Sequence, residues 1–294
     1  MKKIALPIKN VILLPNVLLI CILNRSIYYM KNFLLTVFCI SAIFVVVAVE
    51  TPYVFIPNQG QLLYSHGKSA KDVLFYNNFN EVKVLFKKDR ITYILERFDK
   101  KRYEYFQKVA DTNARIASKL QEYDSTFYYR MDFIFENANP NAEIVQDNVS
   151  SMFFQYYLPQ CPDGLKVFPS QEITYKNIYP GVDIKFYGKY GGLKYDIIVH
   201  PGGQGDKVKL RYEGAENISV KDGKILVKTP VKSWTEDIPL SYVKSPEGDK
   251  SVQVEYILNG KTISFKLPDY NRNETLVIDP AMTWSTYFNL QQNI

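Results

Sequence analysis

The 294-residue chain contains only three cysteines, two histidines and two tryptophans, and each scarcity removes a class of explanation. Cys21 and Cys39 lie in the first 49 residues, so the remainder keeps Cys161 alone. One thiol makes no internal disulfide, and the fold must be held by burial. His66 and His200 are the only imidazoles, so a catalytic Cys161–His pair would have to use one of them. Cys161 sits in the turn-rich Leu158-Pro-Gln-Cys-Pro-Asp-Gly164, which reads as a loop thiol. No glycine-rich loop follows a strand and opens a helix, so nucleotide binding has no support and no cofactor is expected. No Asp or Glu precedes Glu50, whereas Lys2, Lys3, Lys9, Arg25 and Lys31 do. Without those five, the 36 basic residues become 31 against 30 acidic ones. The net charge of +6 therefore belongs to the leader, and no nucleic-acid partner is expected.

The leader carries the compartment signal. Phe33 to Val49 is an uncharged, mostly apolar run preceded by Met30 and Lys31, with Ala48 near its end. A basic start, an apolar stretch and a small residue follow the plan of a secretory signal peptide. An uncleaved anchor over 33–49 is the alternative, because the run is near the lower limit for a spanning helix. A second apolar stretch, Val11 to Leu23, is broken by Pro15 and Asn16. The expectation is an upstream extension over 1–29 and a signal peptide or anchor over 30–49. The protein would then be secreted or held in the cell envelope, touching a membrane only through residues 11–49.

What is abundant is aromatic: 23 Tyr and 18 Phe. Such residues suit the half-buried surface of a sheet and point to an all-β class. Short β-branched and aromatic runs at Val73–Tyr76, Val82–Phe86 and Ile91–Arg97 read as strands. From Lys100 to Tyr123 the pattern changes: Phe106, Val109, Ala110, Asn113, Ile116, Ala117 and Leu120 recur at helical spacing. This predicts one inserted amphipathic helix over about 101–122, its apolar stripe packed on the sheet. Strands return after Phe127. Asp222-Gly223 predicts a hairpin pairing Ile218 with Val227 and Val220 with Ile225. Asn259-Gly260 predicts another, pairing Tyr256 with Ile263 and Val254 with Phe265. The predicted fold is an antiparallel β-sandwich built as two stacked subdomains, 50–165 with the helical insertion and 166–283.

The carboxylates are where an enzyme or a metal site would hide. A tight turn at Lys189-Tyr190 would set Asp183 about 5 Å from Asp196 across a ladder, suited to a glycosidase-type pair or a Ca²⁺ site. The same register would place Lys185 beside Lys194, which is also how a solvated face looks. Asp279 before Pro280 reads as a strand-end residue, and His200 as the start of a turn. Asn148, Asn217 and Asn273 open glycosylation sequons.

One ordered string runs from Asn58-Gln-Gly60-Gln61 through Tyr175-Lys-Asn-Ile-Tyr179-Pro180-Gly181-Val-Asp183 to Leu193-Lys-Tyr195-Asp196. It continues with His200-Pro201-Gly202-Gly203, Tyr212-Glu-Gly214-Ala215, Leu276-Val-Ile-Asp279-Pro280 and Trp284-Ser-Thr-Tyr287. This resembles the N-terminal β-rich domain that precedes SBBP (seven-bladed β-propeller) repeats in Bacteroidetes surface proteins, many of them exported by the type IX, gliding-associated secretion system. The likeness covers roughly residues 52 to 288 and implies a non-catalytic, exported scaffold or adhesion module. Residues 284–294 would be the stub of a first propeller repeat, the downstream propeller being a partner along with other surface proteins or glycans. The alternative is a carbohydrate-binding or carbohydrate-active module using Asp183, Asp196 and surface aromatics. A sugar-binding face needs rings lying flat on the surface, whereas a scaffold buries them.

Overall fold

Alternating apolar and polar residues make strands over most of the described residues. The computed structural model describes residues 53–64, 67–78, 82–112, 126–189 and 192–285. The leader 1–49, His66, residues 113–122 of the predicted helix and the chain beyond 285 lie outside the described residues. Strands β1 (Ile56–Pro57), β2 (Phe75–Asn77), β3 (Lys83–Phe86) and β4 (Arg90–Phe98) lead into helix α1 (Lys100–Thr112). β5 (Thr126–Phe135), β6 (Glu143–Val149), β7 (Phe154–Leu158), β8 (Cys161–Val167) and β9 (Ser170–Tyr179) follow. The next are β10 (Val182–Lys189), β11 (Gly192–Val199), β12 (Leu210–Glu213), β13 (Asn217–Lys221) and β14 (Lys224–Lys228). Then come β15 (Ser233–Ser245), β16 (Gly248–Val252), β17 (Glu255–Asn259), β18 (Thr262–Lys266) and β19 (Thr275–Ser285). No helix among the described residues is long and apolar enough to cross a membrane.

The class and architecture are those predicted: an antiparallel sandwich. One sheet runs β1-β2-β3-β4-β5-β12-β18-β17 and the other β13-β14-β15-β19-β11-β10-β9-β6, with β16 beside β15. β7 and β8 form a separate ribbon. The expected boundary at 165/166 is not where the layers divide. β12, β17 and β18 join the first sheet, and β6 joins the second. A single core contains residues of both layers, because neither half alone presents two complete apolar faces.

That core is aromatic and interlocked. Phe86 meets Phe186 at 5.6 Å, Phe135 meets Tyr175 at 5.3 Å, Phe133 meets Tyr195 at 5.7 Å and Tyr212 meets Trp234 at 6.2 Å, each pair crossing between the layers. The tyrosines add hydroxyls at its edges. Tyr175 donates to the Lys87 carbonyl at 2.7 Å and Tyr179 to the Lys209 carbonyl at 2.8 Å, each from the second sheet to a connection of the first. A phenol can fill an apolar layer and still satisfy a backbone acceptor at its rim, which phenylalanine cannot do.

Hairpin chemistry decides register. Asp222 and Gly223, both at positive φ (51° and 75°), form the predicted two-residue turn, and Ile218 pairs with Val227 and Val220 with Ile225 as expected. The other hairpin slips. Gly260 (φ 60°) takes the first central position of the turn, so Asn259 pairs Thr262 and Tyr256 pairs Phe265, not Ile263. A glycine leading the turn suits type II′, which outcompetes an Asn-Gly type I′ here. The slip is two residues, so the predicted apolar face is preserved.

Helix α1 is present, with Asp99 Oδ1 accepting from the Arg102 amide at 3.0 Å as its N-terminal cap. Its described part departs from the expectation of core packing. Phe106 and Val109 are only half-buried, Tyr103 and Tyr105 are exposed, and neither core cluster includes a residue of the helix.

If the tyrosine hydroxyls tie the layers, Tyr175→Phe should lower unfolding free energy by about 1–2 kcal/mol, since it leaves the Lys87 carbonyl without its partner. Tyr157→Phe, at an exposed ring, should stay within about 0.5 kcal/mol. Urea denaturation of both variants checks this.

Candidate functional site

Asp183 sits where the β9–β10 ladder slips. Val182 pairs Tyr179 but Ile184 pairs Tyr175, and Asn177 in the extra loop of chain adopts φ 50°. Such a bulge leaves a backbone N–H without a ladder partner. Asp183 Oδ1 accepts that Asn177 amide at 2.7 Å, and Oδ2 accepts Lys176 Nζ and His200 Nε2, each at 2.9 Å. The side chain is buried, at 6% exposure. Burial alone would raise its pKa. The Asn177 amide, His200 and Lys176 outweigh that and hold it below the usual carboxylate range. An ionised carboxylate accepts only, so His200 carries its proton on Nε2.

The surrounding motif is an interlock of two turns. His200 N donates to the Gly181 carbonyl at 2.9 Å, Gln204 N to the Pro180 carbonyl at 2.9 Å, and Gly202 N to the Arg272 carbonyl at 2.8 Å. A Cβ on Gly181 would lie 2.7 Å from Gly203 Cα, and one on Gly203 would collide with the Gly181 carbonyl oxygen. Pro180-Gly181 and Pro201-Gly202-Gly203 thus read as backbone meeting backbone.

Asp196 is not Asp183's partner. The two strands pair Asp183 with Ile198 and Lys185 with Asp196, two residues away from the predicted register, because the turn falls after Lys189 and before Gly192. Both aspartates keep the outer face, but diagonally. The neighbour that matters is on β19: Ile197 pairs Ile278, and continuing that register sets Asp196 beside Asp279. Tyr187 donates to Asp196 Oδ1 at 2.9 Å. Asp279 Oδ1 is buried with no hydrogen-bond partner among the described residues. Burial first, then the Asp279 charge, push Asp196 up from 3.8 to about 6, against the pull of the Tyr187 hydroxyl, Lys185 and Lys194. Asp279 is therefore half of a like-charge pair, and it lies in the interior of β19 (Thr275–Ser285), not at the strand end predicted for it.

The remaining motif residues also serve the fold. Asn58 Nδ2 donates to the Ala70 and Val73 carbonyls at 2.8 and 2.9 Å, while its Oδ1 accepts the Gly60 and Leu62 amides. Gly60 itself turns at φ 110°. Gly214, at φ 93°, passes so close to Arg130 that a Cβ would lie 2.8 Å from that carbonyl oxygen. The Pro280 carbonyl accepts Lys194 Nζ at 3.4 Å. Tyr195 and Tyr212 donate their hydroxyls to Glu236, which is fully buried between the layers. Burial raises the Glu236 carboxyl, opposed by those two hydroxyls. The signal that points to Glu236 is its parity with Trp234 on one strand, which turns a carboxyl inward.

Cys161 opens strand β8 opposite Leu158 and is not a loop thiol, while His200 spends Nε2 on Asp183. Among the described residues no group of three or more His, Cys, Asp or Glu side chains could hold a metal ion. Most core-facing rings are buried, Trp234 included. An exposed group remains around the β7–β8 ribbon, with Tyr157 at 73% and Phe153 packed on Phe168.

The two aspartates should respond to neutralisation with opposite signs. A raised native pKa means the folded state binds more protons than the unfolded one between 3.8 and about 6, so Asp196 weakens the fold as pH rises through that window. Asp196→Asn should stabilise by about 1–2 kcal/mol at neutral pH, a gain that vanishes near the unfolded pKa. Asp183 has a lowered pKa, so its contribution is present above 3.8 and lost as pH falls through its native value. Asp183→Asn should destabilise by about 1–3 kcal/mol at neutral pH and by less in acid. Thermal melts of both variants across pH check the pair.

A family model described as Domain of unknown function (DUF7948) matches residues 55–281, from the bridge at Phe55 into β19. No curated protein and no solved structure matches the chain.

Proposed function

The chain belongs to that family, and we propose that it serves as an exported, non-catalytic module of the cell surface or extracellular space, acting in attachment or assembly alongside an SBBP-type β-propeller. The observation that carries this reading is the use made of the motif residues. Asp183 is closed off by Lys176, His200 and the Asn177 amide, and Asn58 holds the loop that follows it. Side chains committed in this way hold connections in place and leave no free acid–base pair at Asp183. Export rests on the basic and then apolar leader, and attachment on the rings left outside the core.

A carbohydrate-binding reading is the second. It is favoured by the exposed rings of Phe153, Tyr157 and Phe168, since aromatic surface is what a sugar-binding face requires. It loses Asp183, whose oxygens are taken.

Protease treatment of intact cells of the native host, followed by immunodetection of residues 53–285, tests the location. Digestion before lysis, or recovery from the medium, is expected. Full protection until the cells are broken would overturn the reading.

A further inference from the structure

Two adjoining clefts, each of about 530 Å³, share Lys88 and Asp89 beside the β3–β4 turn. That volume is in the range of small-ligand sites, roughly 300–1,000 Å³. The first is strongly cationic. Lys87 is held by Asp72 at 2.8 Å, Arg90 by Asp89 at 2.7 Å, and Arg130 by Asp132 at 2.6 Å. Three carboxylates thus answer three of its cations. Lys71 and Lys88 are exposed and have no carboxylate partner among the described residues. The site keeps two unneutralised positive charges although the chain beyond the leader is nearly neutral.

We propose that this cleft binds a carboxylate-bearing saccharide, such as a uronic acid unit of an extracellular polymer. The chemistry of its walls selects that class. The Arg130 fork is filled by Asp132, Nε to Oδ1 at 3.0 Å and a terminal nitrogen to Oδ2 at 2.6 Å, so a ligand carboxylate falls to Lys71 and Lys88. Tyr64 lines the same cleft with Lys87 Nζ over one face of its ring at 5.4 Å, an aromatic wall of the kind that packs against sugar rings. The adjoining cleft is different: Arg211 is answered by Glu136 at 2.7 Å, and the uncharged Asn137 and Asn139 are among its lining residues. A charged sugar in the first compartment and a neutral, hydroxyl-bearing neighbour in the second match this division.

Both walls are pre-set by the fold, which lowers the ordering cost of binding. The Asn58 side chain ties down the Ala70 and Val73 carbonyls on either side of Lys71 and Asp72. Opposite, the buried Tyr175 hydroxyl holds the Lys87 carbonyl of the turn that carries Lys88. The inference deepens the attachment reading and rests on it for where such a polymer would be met. The cleft's chemistry can be tested apart from location.

The test is affinity electrophoresis of the purified full chain in gels containing polygalacturonate, neutral dextran or dextran sulfate, with inorganic phosphate as a competitor. The expected result is retardation by polygalacturonate, weakened by salt, and none by dextran. Lys71→Glu with Lys88→Glu should weaken binding at least about tenfold while leaving the circular dichroism spectrum unchanged, because both side chains are solvent-facing. If that variant does not fold, Lys71→Gln with Lys88→Gln is measured in its place. Absence of polygalacturonate binding, or equal binding by wild type and variant, would overturn the proposal. Equal retardation by dextran sulfate, or equal displacement by phosphate, would overturn the carboxylate assignment by showing that charge alone is read. Protease shaving reports location independently, so a failure of the cleft and a failure of surface placement are told apart.

Discussion

Tyrosine hydroxyls placed at the rim of an aromatic interlayer are the constraint on which the rest of this structure depends. The sandwich has no disulfide among its described residues to fasten it; its one described cysteine is free. Burial of Phe86, Phe133, Phe186 and Trp234 supplies attraction between the layers but little direction. Direction comes from Tyr175 and Tyr179, which reach from the second sheet to the carbonyls of Lys87 and Lys209. Tyr195 and Tyr212, from opposite sheets, meet on the single carboxyl of Glu236. A buried polar group is costly unless satisfied, so each such contact penalises any other docking of the layers. The unusual tyrosine content thereby acquires a structural reason.

From this frame follows the contrast between the two aspartates. They share the outer face of one hairpin and differ only in what lies around them. A bulge, a backbone amide, a lysine and a histidine make Asp183 a fixed anion. A tyrosine and a second carboxylate make Asp196 a reluctant one. The glycine contact between residues 181 and 203 brings His200 to Asp183, so the motif serves as the joint between two turns. The same logic extends to the cationic cleft, whose walls are held by Asn58 on one side and Tyr175 on the other.

Much of the fold was legible because strand period and turn chemistry are local. Asp222-Gly223 named its hairpin to the residue, since both positions accept positive φ. Asn259-Gly260 and the turn near Lys189 each slipped by two, because more than one two-residue turn was compatible with the same glycine-containing stretch. An even slip keeps every side chain on its face, which is why the core was predicted better than the cross-strand pairs. Sheet membership was not legible: nothing in the periodicity of β12, β17 or β18 says that they cross to the first layer. The Asp196–Asp279 pair was hidden for the same reason, its members lying on strands far apart in sequence. The cleft has no local sequence signature, because Lys71, Lys88 and Arg130 come from three separate segments.

The central claim is that tyrosines are structural members sealed in the interlayer. Burial raises Tyr53, Tyr93, Tyr175, Tyr195, Tyr212 and Tyr256 above the ordinary 10.0. A spectrophotometric phenolate titration, followed alongside circular dichroism, tests this directly. The account predicts that the buried group ionises only as the sheet signal collapses. A single smooth transition of all tyrosines near 10, with the sheet signal intact, would contradict it.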